Sequence, residues 1–185
     1  KTYSQALETI VDSMIDAFEL GVGFSLTEQQ RNAVLQCCTN SITLLTGGAG
    51  CGKTTVLEAI CYVLESLNQT KQIILMALAG KAAQRITEVT GREAMSIAGF
   101  IHNVAPDDID EDAVIIIDEA SMVDVLSLLK VLKRVPKRGR IILAGDQEQL
   151  PPVSVGLGIH ILVNLPLANP HLSVVKRQSE SSGIP

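Results

Sequence analysis

Hydrophobic positions first recur at helical spacing. Leu7, Ile10, Val11, Met14, Ile15 and Phe18 fall on one side of a helix predicted over Thr2 to Leu20, and Gly21 and Gly23 end the pattern. A second helix is predicted over Glu28 to Cys38, with Ala33, Val34 and Cys37 on one face and Thr27 as its N-cap. The period then changes. Four short runs rich in β-branched residues follow, at Ile42 to Thr46, Gln72 to Ala77, Ala113 to Asp118 and Arg140 to Ala144. Helical stretches at Lys53 to Leu67, Lys81 to Val89 and Met122 to Leu132 separate them. Strand alternating with helix means right-handed βαβ units and a parallel sheet. Leu157 to Val163 and Leu172 to Val175 carry weaker signals for one more helix and a last strand.

Composition supports an α/β core and narrows the surroundings. The 185 residues are 46% hydrophobic but only 3% aromatic, with no Trp, which suits a parallel sheet packed with aliphatic side chains in one domain. The longest apolar run, Ile73 to Ala79, is far below the roughly 18 residues of a membrane span, so no membrane association is expected. Cys37, Cys38, Cys51 and Cys61 lack zinc spacing and no signal peptide is evident, so reduced thiols and a cytoplasmic location are expected. The chain begins at Lys1 rather than Met and ends in a polar tail, and it reads as a piece of a longer protein. A net charge of -5 means that any nucleic-acid contact must rest on local residues.

The chemistry is concentrated after the first strand. Gly47-Gly48-Ala49-Gly50-Cys51-Gly52-Lys53-Thr54 fits GxxxxGK[ST] between a strand and a helix, followed by Thr55. Its glycines let backbone N–H groups turn around a polyphosphate, Lys53 would reach the β and γ phosphates, and the Thr54 hydroxyl would ligate Mg²⁺. ATP and Mg²⁺ are therefore the expected ligands. Cys51, at a helix N-terminus, is expected to be sensitive to alkylation and protected by ATP. Val114 to Ile117 form a buried strand ending in Asp118 and Glu119, which places two acids beside the loop. Asp118 would hold Mg²⁺ and Glu119 would orient and deprotonate the attacking water. Gln149, beyond the strand Arg140 to Ala144, is the candidate γ-phosphate sensor.

Two charged runs carry no function. Asp107, Asp108, Asp110, Glu111 and Asp112 lack the Gly and distal Glu of a calcium loop and read as a solvated turn. Lys130, Lys133, Arg134, Lys137, Arg138 and Arg140 span a helix C-terminus and a strand start, at the sheet edge opposite the phosphate loop, where cations are favourable without nucleic acid.

Taken together, these segments resemble the RecD-like branch of superfamily 1 DNA helicases. Leu26 to Val34 resembles the Q motif, in which Gln30 would read the adenine edge; Gly47 to Thr54 resembles motif I; Asp118 to Asp124 resembles motif II; Gly145 to Pro151 resembles motif III. Gly80 to Gly91 resembles motif Ia, which contacts the single-strand backbone in that family, so Gly80, Lys81 and, beyond them, Ser96 are candidate DNA contacts. Arg177 and Gln178 resemble motif IV, whose Arg approaches the γ-phosphate. Ala49, Cys51, Leu78-Ala79 and Ala98 depart from the family's usual Pro, Thr, Pro-Thr and His.

The resemblance implies a RecA-like P-loop domain, with 25–185 as the first helicase lobe and the second lobe lying outside this chain; residues 1–24 are assigned to a helix and linker from an upstream region, with packing of that helix on this lobe as the alternative. It also implies ATP-driven translocation on single-stranded DNA and unwinding of duplex DNA ends, in the 5′-to-3′ direction, alone or with nuclease or helicase subunits of a recombination complex. Two readings compete: an accessory module that uses ATP only as a conformational ligand, and a small-molecule phosphotransferase. Against them stand the full set Lys53, Thr54, Asp118, Glu119 and Gln149, and the lack of an Arg-rich lid.

Overall fold

The computed structural model describes residues 2–146, 162 and 164–173. Its helices are α1 (Thr2–Val22), α2 (Glu28–Thr39), α3 (Lys53–Ser66), α4 (Gly80–Thr90), α5 (Ile97–Asn103) and α6 (Val125–Leu132). Its strands are β1 (Ile42–Gly47), β2 (Ile73–Ala77), β3 (Ala94–Ser96), β4 (Val114–Asp118), β5 (Arg140–Gly145) and β6 (His171–Leu172). The strands form one sheet in the order β3-β2-β4-β5-β1-β6, and every pairing is parallel. This is the α/β architecture expected from the alternation of periods.

The alternation of side chains in each strand divides the core in two. Leu45, Leu75, Val114, Ile116 and Ile142 point to the layer formed by α1 to α4, and Leu44, Met76, Ile115, Ile117 and Leu143 point to the layer holding α5 and α6. Burial on both faces is why β1, β2, β4 and β5 read as continuous apolar runs rather than alternating ones. Helix α1 shares the first of these cores: Val11, Ile15 and Phe18 are buried among residues of α2 and α3, and Phe18 packs on Tyr62. Arg31 of α2 pairs with Asp16 and Glu19 of α1, which fixes the rotation of one helix on the other.

Four elements differ from the sequence reading. β3 and α5 occupy a segment with no strand or helix signal of its own, and Ser96 joins them by accepting a hydrogen bond from the Gly99 amide as the cap of α5. α6 starts at Val125 instead of Met122, because Asp124 caps it through the Ser127 amide while Ala120–Met122 form a separate 3₁₀ turn. The last strand is two residues, His171–Leu172, earlier than the expected Leu172 to Val175; the expected helix over Leu157 to Val163 lies almost wholly outside the described residues.

Because the sheet is parallel, all carboxyl ends share one edge. The register sets Gly145 beside Thr46, and Asp118 and Ser96 on either side of Ala77. The phosphate loop, the acids, the start of α4 and the cap of α5 therefore meet along one rim.

Candidate functional site

The loop from Gly47 to Thr54 is built by backbone that only certain residues accept. Gly50 and Gly52 have φ of +78° and +79°, in the left-handed region, and Gly52 also lies so close to Gln30 that a Cβ would stand 2.5 Å from its Nε2. Gly47 is excluded from growing for a different reason: a Cβ there would meet the Leu172 carbonyl oxygen of β6 at 2.7 Å. Lys53 turns back on the loop, its Nζ donating to the Gly47 and Gly48 carbonyls at 2.7 and 2.8 Å. An entering phosphate can take over those bonds with stronger, charge-assisted ones.

Gln30 supports this loop from behind. Its amide oxygen accepts from the Thr27 N–H at 2.9 Å, completing a capping box, and its Nε2 donates to the Cys51 carbonyl at 3.3 Å. The residue is only 3% exposed. Each polar end of the side chain thus makes one bond inside the protein, leaving one N–H and one lone pair of the amide for a ligand. The neighbouring Gln29 ties α2 to the sheet edge through the Ser173 hydroxyl and amide.

Cys51 corrects an expectation. It is 4% exposed and its side chain joins the core of the α1 to α4 layer, so alkylation should be slow with or without nucleotide. A thiol at a helix N-terminus is reactive only when reagent can reach it. Burial pushes three other thiols up, Cys38 and Cys61 to about 12 and Cys37 well above its usual value.

Across the sheet rim stand the two acids. Asp118, at the end of β4, accepts the Glu119 N–H at 2.9 Å, and burial raises its carboxyl above the usual range despite that bond and the nearby charges of Lys53 and Arg85. This is the state of a carboxylate whose charge a cation would relieve. Glu119 is exposed and adopts φ +54°, a left-handed conformation unusual for a residue with a side chain. The strained corner turns its carboxylate into the cleft and lets the chain enter the turn at Ala120. Ser121 then accepts the Asp146 N–H at 3.4 Å, linking the segment after the acids to the end of β5.

A cleft of about 440 Å³ joins these parts. Ala49, Gly50, Lys53 and Thr54 form one wall, Asp118 and Glu119 the floor, and one face of α4 the other wall. The amides of the loop, a lysine, a hydroxyl and a partly buried carboxylate form a set that fits a polyphosphate with a hard divalent cation.

The comparisons agree with this geometry. A family model described as an AAA domain matches residues 25–184. The chain belongs to the AAA domain family, and it is similar to RecD-type helicase proteins. It is 39% identical over 143 residues to the ATP-dependent RecD2 DNA helicase of Deinococcus radiodurans, matching 71% of this chain and 19% of that protein. It is 31% identical over 156 residues to the RecBCD enzyme subunit RecD of Buchnera aphidicola, covering 69% of this chain and 25% of that subunit. Agrobacterium fabrum conjugal transfer protein TraA is 29% identical over 175 residues, with 92% and 16% covered. The Pif1 helicase from Candida albicans shares the fold, with a TM-score of 0.61, 24% identity and coverage of 83% and 41%. The chain thus spans a quarter or less of the three curated relatives, and the family match begins after α1.

The remaining expectations fall around the RecD-like site as follows. Lys81 is exposed in the first turn of α4, and Gly80 before it has open space around its Cα. Ser96 is half-buried and its oxygen is occupied in capping α5. Gln149 and Arg177 lie outside the described residues. In the basic run at the opposite rim, Arg134 donates to the carbonyls of Phe100, Ile101 and Val104, closing the end of α5, and Arg140 donates to the Cys38 carbonyl and Gln69. Arg138 shares a surface hollow with the acidic turn 110–112.

Arg85 is the cleft residue that the sequence reading overlooked. The spacing Ala82, Arg85, Ile86, Val89 puts a cation within an otherwise apolar stripe, and that interruption was the available signal.

Proposed function

We propose that this lobe binds MgATP in the cleft and drives a DNA motor. The observation that carries the reading is the meeting, in one cleft, of a glycine-built phosphate loop with Asp118 and Glu119 at the adjoining strand end. Lys53 releases its two loop carbonyls to hold the β and γ phosphates, and the loop amides take the rest of the polyphosphate. Mg²⁺, held by Thr54 and Asp118, supplies charge neutralisation at those phosphates when bound. Glu119, exposed and turned inward, orients a water and accepts its proton. Gln149 and Arg177 complete the response to the γ-phosphate.

The RecD-like relatives support a motor that alternates its grip on single-stranded DNA with nucleotide state, through Lys81, Gly80 and Ser96 along the same rim. Movement 5′-to-3′, unwinding from duplex ends, and association with nuclease or helicase subunits in the cytoplasm belong to the same proposal. ATP hydrolysis by the full-length protein, measured with and without single-stranded DNA, tests it. Turnover stimulated severalfold by DNA is expected; turnover indifferent to DNA removes the motor and leaves a nucleotide-responsive module.

A further inference from the structure

Four residues of α4 form the wall of the cleft that faces the phosphate loop, and three of them, Ala82, Ile86 and Val89, are apolar. The fourth is Arg85. Four of the other described arginines are engaged, Arg31 with Asp16 and Glu19, Arg92 with Glu65, Arg134 with three carbonyls, and Arg140 with Cys38 and Gln69, while Arg138 lines a surface hollow with Asp110, Glu111 and Asp112. Arg85 makes no hydrogen bond and no ion pair among the described residues, although Asp118 and Glu119 line the same cleft and its charge is felt at Asp118. Arg85 is exposed to solvent, and neither acid holds it. It stands across the cleft from Gly50 and Lys53 with its planar fork of donors unused.

We infer that Arg85 binds the terminal phosphate of the nucleotide from the α4 side and so makes this lobe distinguish a triphosphate from a diphosphate. This rests on the reading of the cleft as a MgATP site. The loop amides and Lys53 serve the phosphates nearer the loop. A group that reaches the far wall is the last one in the chain of phosphates. There a guanidinium can form two parallel charge-assisted bonds, in surroundings that the apolar stripe of α4 partly shields from water. Because α4 also begins with Lys81, one turn before Arg85, loss of the terminal phosphate would be felt by the same helix that carries the proposed DNA contact.

The test is equilibrium binding of MgATP and of MgADP to the wild-type protein, Arg85→Gln and Arg85→Lys, with Lys53→Ala as the control for the loop. Arg85→Gln should weaken MgATP about tenfold while MgADP changes less than twofold, a charge-assisted bond being lost from one ligand only. Arg85→Lys should recover part of the loss, since it keeps the charge but not the fork. Thermal unfolding without nucleotide should be the same for wild type and Arg85→Gln, because no bond within the described protein is removed. Equal weakening of both nucleotides overturns the assignment, as does unchanged MgATP binding, including the case in which Arg85→Gln weakens single-stranded DNA instead. A wild-type protein that binds neither nucleotide overturns the reading of the cleft itself, and Lys53→Ala weakening both ligands where Arg85→Gln weakens one separates the two claims.

Discussion

Single residues at the rim are held in conformations that trade stability for placement. Gly52 combines a left-handed φ with a neighbour that leaves no space for a methyl group, whereas Gly80, also in the proposed site, has neither constraint. Gly52→Ala should therefore destabilise the protein by about 1–2 kcal/mol and weaken nucleotide binding. Gly80→Ala should leave stability unchanged or raise it by up to about 1 kcal/mol. Urea unfolding of the two variants checks both. Glu119 presents the reverse case: its φ of +54° is one that glycine accepts freely. Glu119→Gly should be nearly neutral in thermal unfolding, while hydrolysis by the full-length protein falls by about 10²–10⁴ with the loss of its base. A marked loss of stability in Glu119→Gly would remove the idea that the corner is strained for function.

The motif residues themselves were legible in the sequence, because glycine spacing and a strand ending in two acids have few other uses. What they touch was not legible. Gln30 reads as a ligand contact in sequence, yet its amide braces the loop it was expected to serve beside. Cys51 reads as an exposed thiol, but the turn of the loop sends it into the core. The cap that Gln30 forms with Thr27 has a signal in their Thr-x-x-Gln spacing, but its bond to Cys51 and the burial of Cys51 have none, since both depend on how distant parts of the chain approach each other.

At the scale of elements, the strands that are buried on both faces were evident from their unbroken apolar runs, whereas β3 was missed and β6 was expected only from a weaker signal at Leu172 to Val175. β3 is three half-buried residues and β6 is two, each too short to show a period. Capping moved the start of α6, a shift that composition cannot locate within three residues. Helix α1 lies before the family match, yet its apolar face completes the layer over α2 and α3. Ile15, fully buried there, gives a direct measure: Ile15→Ala should cost about 2–5 kcal/mol in chemical unfolding, as a core position of the lobe does. A change below about 0.5 kcal/mol, the size of a surface substitution, would mean that α1 packs only loosely on this lobe.

The molecule as a whole keeps its ionisable thiols out of water. Below pH 9 the thiols of Cys38 and Cys61 are neutral in both folded and unfolded chains; between 9 and about 12 the unfolded chain loses those protons and the folded one does not. Their contribution to stability is thus complete below pH 9 and lost as pH rises towards 12. Unfolding free energy measured from pH 8 to 11 should fall, and should fall less steeply in a Cys38→Ala, Cys61→Ala variant. In the native protein none of the four cysteines should react rapidly with a thiol reagent at pH 8, while all four should react once it is unfolded.

The parallel sheet also explains why one rim carries the chemistry and the other carries arginines bonded to the ends of helices and strands. Strand ends with the phosphate loop, the acids and the start of α4 gather at the carboxyl edge, and the basic and acidic runs gather at the amino edge, where Arg134 and Arg140 close helix and strand ends. Parallel strands with their carboxyl ends on one side could be anticipated from alternation; the strand order and the cation on the inner face of α4 could not.

The central claim is that the cleft is a nucleotide site with Lys53 at its heart. It is tested most directly by titrating MgATP into the 185-residue protein and its Lys53→Ala variant by calorimetry. Saturable one-to-one binding to the wild type, weakened at least tenfold in the variant, is the predicted result. No binding to the wild type, or binding that Lys53→Ala leaves unchanged, would contradict it.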